Sequence, residues 1–111
     1  MPENFNNLLI KAVDDALSSL GKSSKKAVYF HLAKSFNIER KEIPKRVEDF
    51  TQAIEKIFGL GAIFLQVLIM KHIYEKAGVI FEWDERKKFG FLEYVNEARQ
   101  RFQESKKLKK F

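Results

Sequence analysis

Apolar side chains recur along this chain with the i, i+3, i+4 rhythm of an α-helix in several separate stretches. In the first, Phe5, Leu8, Leu9, Ala12, Val13, Ala16, Leu17 and Leu20 keep the rhythm without a miss, which predicts a helix over residues 4–20. Pro2 precedes it, and Gly21 is placed to end it in a left-handed conformation. Ser23 or Ser24 is positioned to cap a second helix, whose inner face reads Val28, Tyr29, Leu32, Ala33 and Phe36, with Asn37 as its stop. Residues 38–46 form the main irregular stretch, since Pro44 disfavours helix at Ile43; one short turn is expected over 39–42. A third helix is expected over 47–58, with Phe50, Ala53, Ile54, Ile57 and Phe58 turned inward.

Gly59-Leu60-Gly61 interrupts the chain before a fourth helix over 62–76. There Ile63, Phe64, Leu65, Val67, Leu68, Ile69, Met70, Ile73 and Tyr74 cover almost every side, and a helix apolar all round has to be covered on most sides. It is therefore either the centre of the bundle or half of a homodimer interface, for which Phe64, Leu68, Ile69 and Met70 are the surface to be shared. The apolar run 60–70, broken by Gln66, falls well short of the about 20 residues a membrane span needs, so it reads as a buried helix and no span is expected. Gly78 ends this helix, the segment Val79-Ile80-Phe81-Glu82-Trp83 is β-prone, and Asp84 can cap the next helix. That fifth helix is expected over 87–106, with Phe91, Val95, Ala98 and Phe102 on one face and an outward i, i+4 pair of Glu97 and Arg101. The pattern as a whole predicts an all-α fold: one domain over residues 1–111, a compact bundle of about five helices with the strongly apolar fourth at its centre.

Composition agrees with a folded domain. Of the 111 residues 45% are hydrophobic and 32% charged, and the 11 Phe bring large buried area without a polar atom to satisfy. The absence of Cys excludes disulfides, thiolate metal sites and cysteine nucleophiles from this sequence. A leader-like start is not evident, which makes the cytoplasm the expected location. The net charge of +6 is unevenly placed. Residues 1–85 balance 12 Lys+Arg against 12 Asp+Glu, whereas residues 86–111 carry nine basic and three acidic groups. The chain thus reads as a neutral helical core over 1–78, followed over 79–111 by a short connector and a basic helix and tail.

Several segments together resemble a known family. They are Asp15-Ala16-Leu17-Ser18-Ser19-Leu20-Gly21-Lys22-Ser23-Ser24-Lys25-Lys26-Ala27-Val28-Tyr29-Phe30-His31-Leu32, Glu42-Ile43-Pro44, the run from Phe50 through Gly59-Leu60-Gly61-Ala62, and Tyr74-Glu75-Lys76-Ala77-Gly78. In order and spacing, residues 12–78 resemble the archaeal Nitrosopumilus output domain family of small helical domains. The resemblance implies an archaeal source and an output or interaction module of signalling and regulatory proteins. It carries no catalytic chemistry, and the segment from Val79 onward lies outside it.

Candidate chemistry is sparse. His72 and Glu75 stand at i, i+3 on one helix, a spacing that helical metal sites use, yet further ligands would have to come from facing helices and only His31 and scattered carboxylates are on offer. Ser23 and Ser24 lack a His–acid pair and are better explained as caps. Gly59-Leu60-Gly61 is not preceded by a strand or followed by Lys-Ser/Thr, so a tight interhelical corner explains it better than a phosphate loop. A helix-turn-helix over 23–58 is disfavoured, because Pro44 falls inside the only candidate recognition helix. No catalytic, cofactor or metal site is expected. The best physical lead is the basic end: Arg86, Lys87, Lys88, Arg99, Arg101, Lys106, Lys107, Lys109 and Lys110 could contact phosphates in a salt-sensitive, sequence-independent way, or could simply be solvated. The expected function is a non-enzymatic regulatory or protein-interaction module, binding a protein partner or itself as a homodimer. The alternative is a small nucleic-acid-binding protein that uses this basic end.

Overall fold

In the computed structural model, residues 4–80 and 90–108 are described. Asn4 opens α1 (Phe5–Ser18) from an extended backbone, its side-chain oxygen accepting the Asn7 N–H at 2.8 Å, the usual N-cap geometry. The helix ends two residues short of the prediction. The hydroxyls of Ser18 and Ser19 bond back to the carbonyls of Asp14 and Ala16, offering the last turn an alternative to helical pairing.

Gly21 does not close α1 in the left-handed region, as the sequence suggested. With φ +103° and ψ 153° it adopts a conformation open essentially to glycine, and it serves as the N-cap of α2 (Lys22–Phe36), its carbonyl accepting the Lys25 N–H at 3.0 Å. Ser23 and Ser24 accordingly lie inside the first turn and cap nothing. Asn37 does stop α2: it is left-handed (φ 56°), and the Ile38 N–H reaches the Leu32 carbonyl at 3.0 Å, with both side chains buried as the Schellman arrangement favours.

The irregular stretch is more ordered than Pro44 implied. A 3-10 helix covers Arg40–Lys45 and includes Ile43 and Pro44, both buried. Reciprocal side-chain caps between Glu39 and Glu42 start it, and the missing proline N–H is tolerated in so short a helix. Then come α3 (Val47–Phe58), a 3-10 turn at Gly59–Gly61, α4 (Ala62–Ala77) and α5 (Phe91–Leu108). Gly59 makes the corner with φ +58° and ψ −130°, and Gly78 ends α4 in the left-handed conformation at φ +71°. Gly90 is non-helical and accepts the Tyr94 N–H, so α5 starts after the expected Lys87; Phe81 to Phe89, including the expected Asp84 cap, lie outside the described residues.

The described residues form an all-α bundle without a strand. α4 is its centre, packed most extensively on α1 and next on α5. Leu8, Leu9, Ala12, Val13, Ala16 and Leu17 of α1 meet Leu65, Ile69, Ile73 and Ala77 of α4 in one continuous core, which Phe50 and Ile54 of α3 and Val95 and Ala98 of α5 complete. At about 2 kcal/mol for each large aliphatic chain buried, this layer is the main source of stability. α4 is nevertheless not covered all round. Ile63 and Phe64 in its first turn stand in solvent, as does Leu60 on the 3-10 turn before it. Across the corner, the 31-residue helical run Val47–Ala77 is long and apolar enough, by length and composition alone, to cross a membrane, which run 60–70 by itself was not; the core helix of a water-soluble bundle passes the same test.

Candidate interaction surface

The residues expected to form a shared α4 surface separate into two groups. Ile69 and Met70 are enclosed in the core and cannot meet a partner. Phe64 is 81% exposed and Leu68 half-buried. The physical reason is rotational: Ile69 lies on the same helical face as Leu65 and Ile73, which α1 covers, and an all-apolar sequence does not reveal which side that is. Two further residues, outside the expected surface, join Phe64 instead. Leu60, on the 3-10 corner, is 89% exposed, and Ile63 is 61% exposed. Leu60, Ile63, Phe64, Val67 and Leu68 follow the i, i+3, i+4, i+7, i+8 spacing of one helical stripe. An open groove of about 450 Å³ runs beside it, lined by Gly59, Leu60, Ala62, Ile63, Glu55 and Gln66. The Gln66 side-chain nitrogen is buried there without a hydrogen-bond acceptor.

Of the basic end, the structure describes the side chains of Arg99, Arg101 and Lys106, and these three are not gathered on one face. Arg86, Lys87, Lys88, Lys109, Lys110 and the Lys107 side chain lie outside what the structure describes. Each of the three makes contacts within the fold. Arg99 donates to Asn6 Oδ1 at 2.9 Å and to the Pro44 carbonyl at 3.2 Å, and its guanidinium lies 4.8 Å from the Phe5 ring centre. Burial lowers its pKa from the usual arginine value. Arg101, expected to pair with Glu97, donates to the Ile80 carbonyl at 3.1 Å, and Lys106 Nζ sits 4.7 Å from the Phe102 ring centre. Arg101 also lies about 200° around the helix from Arg99, so the two do not share a face.

A cationic surface that the overall charge count concealed lies on α2, with Lys22, Lys26 and Lys34 exposed. Among the described residues none of the three forms an ion pair. His31 is exposed against the edge of Phe36, His72 is half-buried, and no three His, Asp or Glu side chains of the described residues gather as metal ligands would. Compared with family models, curated proteins and solved structures, the chain matches none of them.

Proposed function

We propose that this chain is a non-enzymatic protein-interaction module of regulatory type, and that the stripe of Leu60, Ile63 and Phe64 is the surface through which it self-associates. The observation that carries this reading is the exposure of three large apolar chains on one stripe. Together they present roughly 400 Å² of apolar surface, a size at which an exposed patch usually marks a binding site. Val67 and Leu68 extend it toward the about 800 Å² per partner of a standard interface. The resemblance of residues 12–78 to archaeal output domains supports the same class of function.

The test is sedimentation velocity on the full chain from about 1 to about 100 µM, a range that brackets micromolar association. A dimer that becomes monomeric on Leu60→Asp with Phe64→Asp, at unchanged far-ultraviolet circular dichroism, is the expected result. A wild-type chain that stays monomeric throughout removes self-association.

A further inference from the structure

α2 adds fewer fully buried side chains to the core than α1, α3 or α4: Val28 and Leu32. Its 15 residues hold four lysines and no acid. Lys26, Phe30 and Lys34 succeed one another at four-residue spacing, so they form a single ridge. Phe30 is 65% exposed at the middle of that ridge, with Lys34 Nζ 5.4 Å from its ring centre. Next to the ridge an open groove of about 540 Å³ lies between α2 and α3, lined by Ala27, Val28, Phe30, Ile57 and Phe58, with Ser24 and His31 as its polar members.

From this pairing of an apolar groove with lysines that have no carboxylate partner among the described residues, we infer that the α2–α3 face docks an acidic amphipathic helix of a partner protein. Large apolar side chains at i, i+3 or i+4 and i+7 of that helix fill the groove. Carboxylates on its flanks meet Lys22, Lys26 and Lys34, giving the charge complementarity that sets specificity and on-rate. Two other anionic partners fit less well. A nucleic acid would satisfy the lysines and could stack a base on the exposed rings of Phe30 or His31, but it would leave the Ala27, Val28 and Ile57 lining of the groove empty. A bilayer surface follows a convex face and does not enter a groove whose floor holds half-buried Ile57 and Phe58. The site is separate from the α4 stripe, and this inference does not depend on self-association.

The test uses two synthetic helices of about 18 residues with one shared Leu/Phe stripe, one flanked by Glu and the other by Lys. Each is labelled and titrated with the full chain by fluorescence anisotropy at about 50 mM and about 200 mM salt. Vesicles of phosphatidylcholine with phosphatidylserine and a labelled single-stranded DNA are titrated in parallel. Saturable binding of the Glu-flanked helix, at least about tenfold tighter than its Lys-flanked counterpart and weaker at high salt, is expected. It should fall by about tenfold or more in the triple variant Lys22→Glu, Lys26→Glu, Lys34→Glu, and several-fold in Phe30→Ala. These four positions are exposed, so circular dichroism should be unchanged in both variants. Equal binding of both helices, no saturable binding of either, or a triple variant that matches the wild type overturns the inference. Tighter binding of the vesicles or of the DNA, lost in the same variants, overturns it in favour of that surface. A chain that binds the acidic helix yet sediments as a monomer keeps this site and removes only the α4 dimer.

Discussion

Tyr29 donates a 2.5 Å hydrogen bond to Asp14 Oδ1, and Arg40 grips the same carboxylate with two N–H groups, one to each oxygen. One half-buried acid on α1 thereby holds both α2 and the 3-10 helix after it, elements that otherwise contribute few core residues. Burial alone would raise the Asp14 pKa; the hydrogen bonds from Arg40 and Tyr29, with the charges of Arg40 and Lys25, outweigh it and hold the carboxyl below its ordinary value.

A carboxyl whose folded pKa is depressed stabilises the fold above its unfolded value, about 3.9, and that contribution is lost as pH falls through the folded value. Asp14→Asn should therefore cost stability at neutral pH, about 1–2 kcal/mol once the half-exposed position of Arg40 is allowed for. The difference from the wild type should shrink as pH drops below about 4. Urea melts of both chains at pH 7 and pH 3 check this, and an equal difference at the two pH values would show that Asp14 does not act through its charge.

Arg99 is a second tie, joining α5 to Asn6 in the first turn of α1 and to Pro44. Its planar fork makes both hydrogen bonds while lying over Phe5, a geometry that a lysine ammonium cannot reproduce. Arg99→Ala and Arg99→Lys should both lower stability, by about 1–3 kcal/mol, with little rescue by the lysine. Chemical denaturation midpoints measure this; full rescue by lysine would reduce Arg99 to a simple positive charge.

Much of this architecture is legible in the sequence, for physical reasons that differ by element. α3 carries acids at its start and a clear apolar stripe, and its bounds follow from them to the residue. α1 and the stop at Asn37 are nearly as clear, since helical spacing and a residue tolerant of positive φ leave few alternatives. Gly21 and the two serines after it mislead, because a glycine at positive φ can start a helix as readily as end one. Pro44 suggests irregular chain, yet a 3-10 helix can absorb a missing N–H. The candidate surface is half legible. Phe64 and Leu68 emerge from the excess of apolar residues on α4, but nothing local distinguishes Ile63 from Ile69 until α1 is packed against one of them. The α2 lysines escape notice because the acids of α1 and α3 cancel them in any charge sum over residues 1–85. A count by predicted helix brings them out.

Tyr74 sits at the contact of α4 with α5, where its hydroxyl donates to the Tyr94 carbonyl at 2.9 Å and its ring is almost fully buried. Burial, reinforced by the nearby Glu97 charge, pushes its pKa up to about 12. A raised tyrosine pKa contributes stability that is fully present below the unfolded value near 10 and is lost as pH rises through the folded one. Wild-type thermal stability should therefore fall between about pH 10 and pH 12, and Tyr74→Phe should flatten part of that fall. At neutral pH the phenylalanine variant should cost about 1 kcal/mol for the lost hydrogen bond. Absorbance at the phenolate band against pH reads the titration directly, and a Tyr74 that ionises near pH 10 in the folded chain would contradict the burial account.

The division of α4 into a packed and an open face gives a direct contrast. Ile69 and Ile73 have no solvent exposure, so truncating either to alanine leaves a cavity and should cost about 2–5 kcal/mol. Leu60→Ser and Phe64→Ser remove side chains that are mostly in water, and in dilute solution each should change stability by no more than about 0.5 kcal/mol. The contrast should depend on concentration. If a second copy covers the stripe, stability rises with protein concentration by mass action, and the serine variants lose that dependence while the core variants keep it. Denaturation midpoints at two concentrations about a hundredfold apart separate the cases. A large cost for Phe64→Ser even at the lower concentration would mean that this ring is enclosed within the monomer, and the exposed stripe would no longer stand as a binding surface.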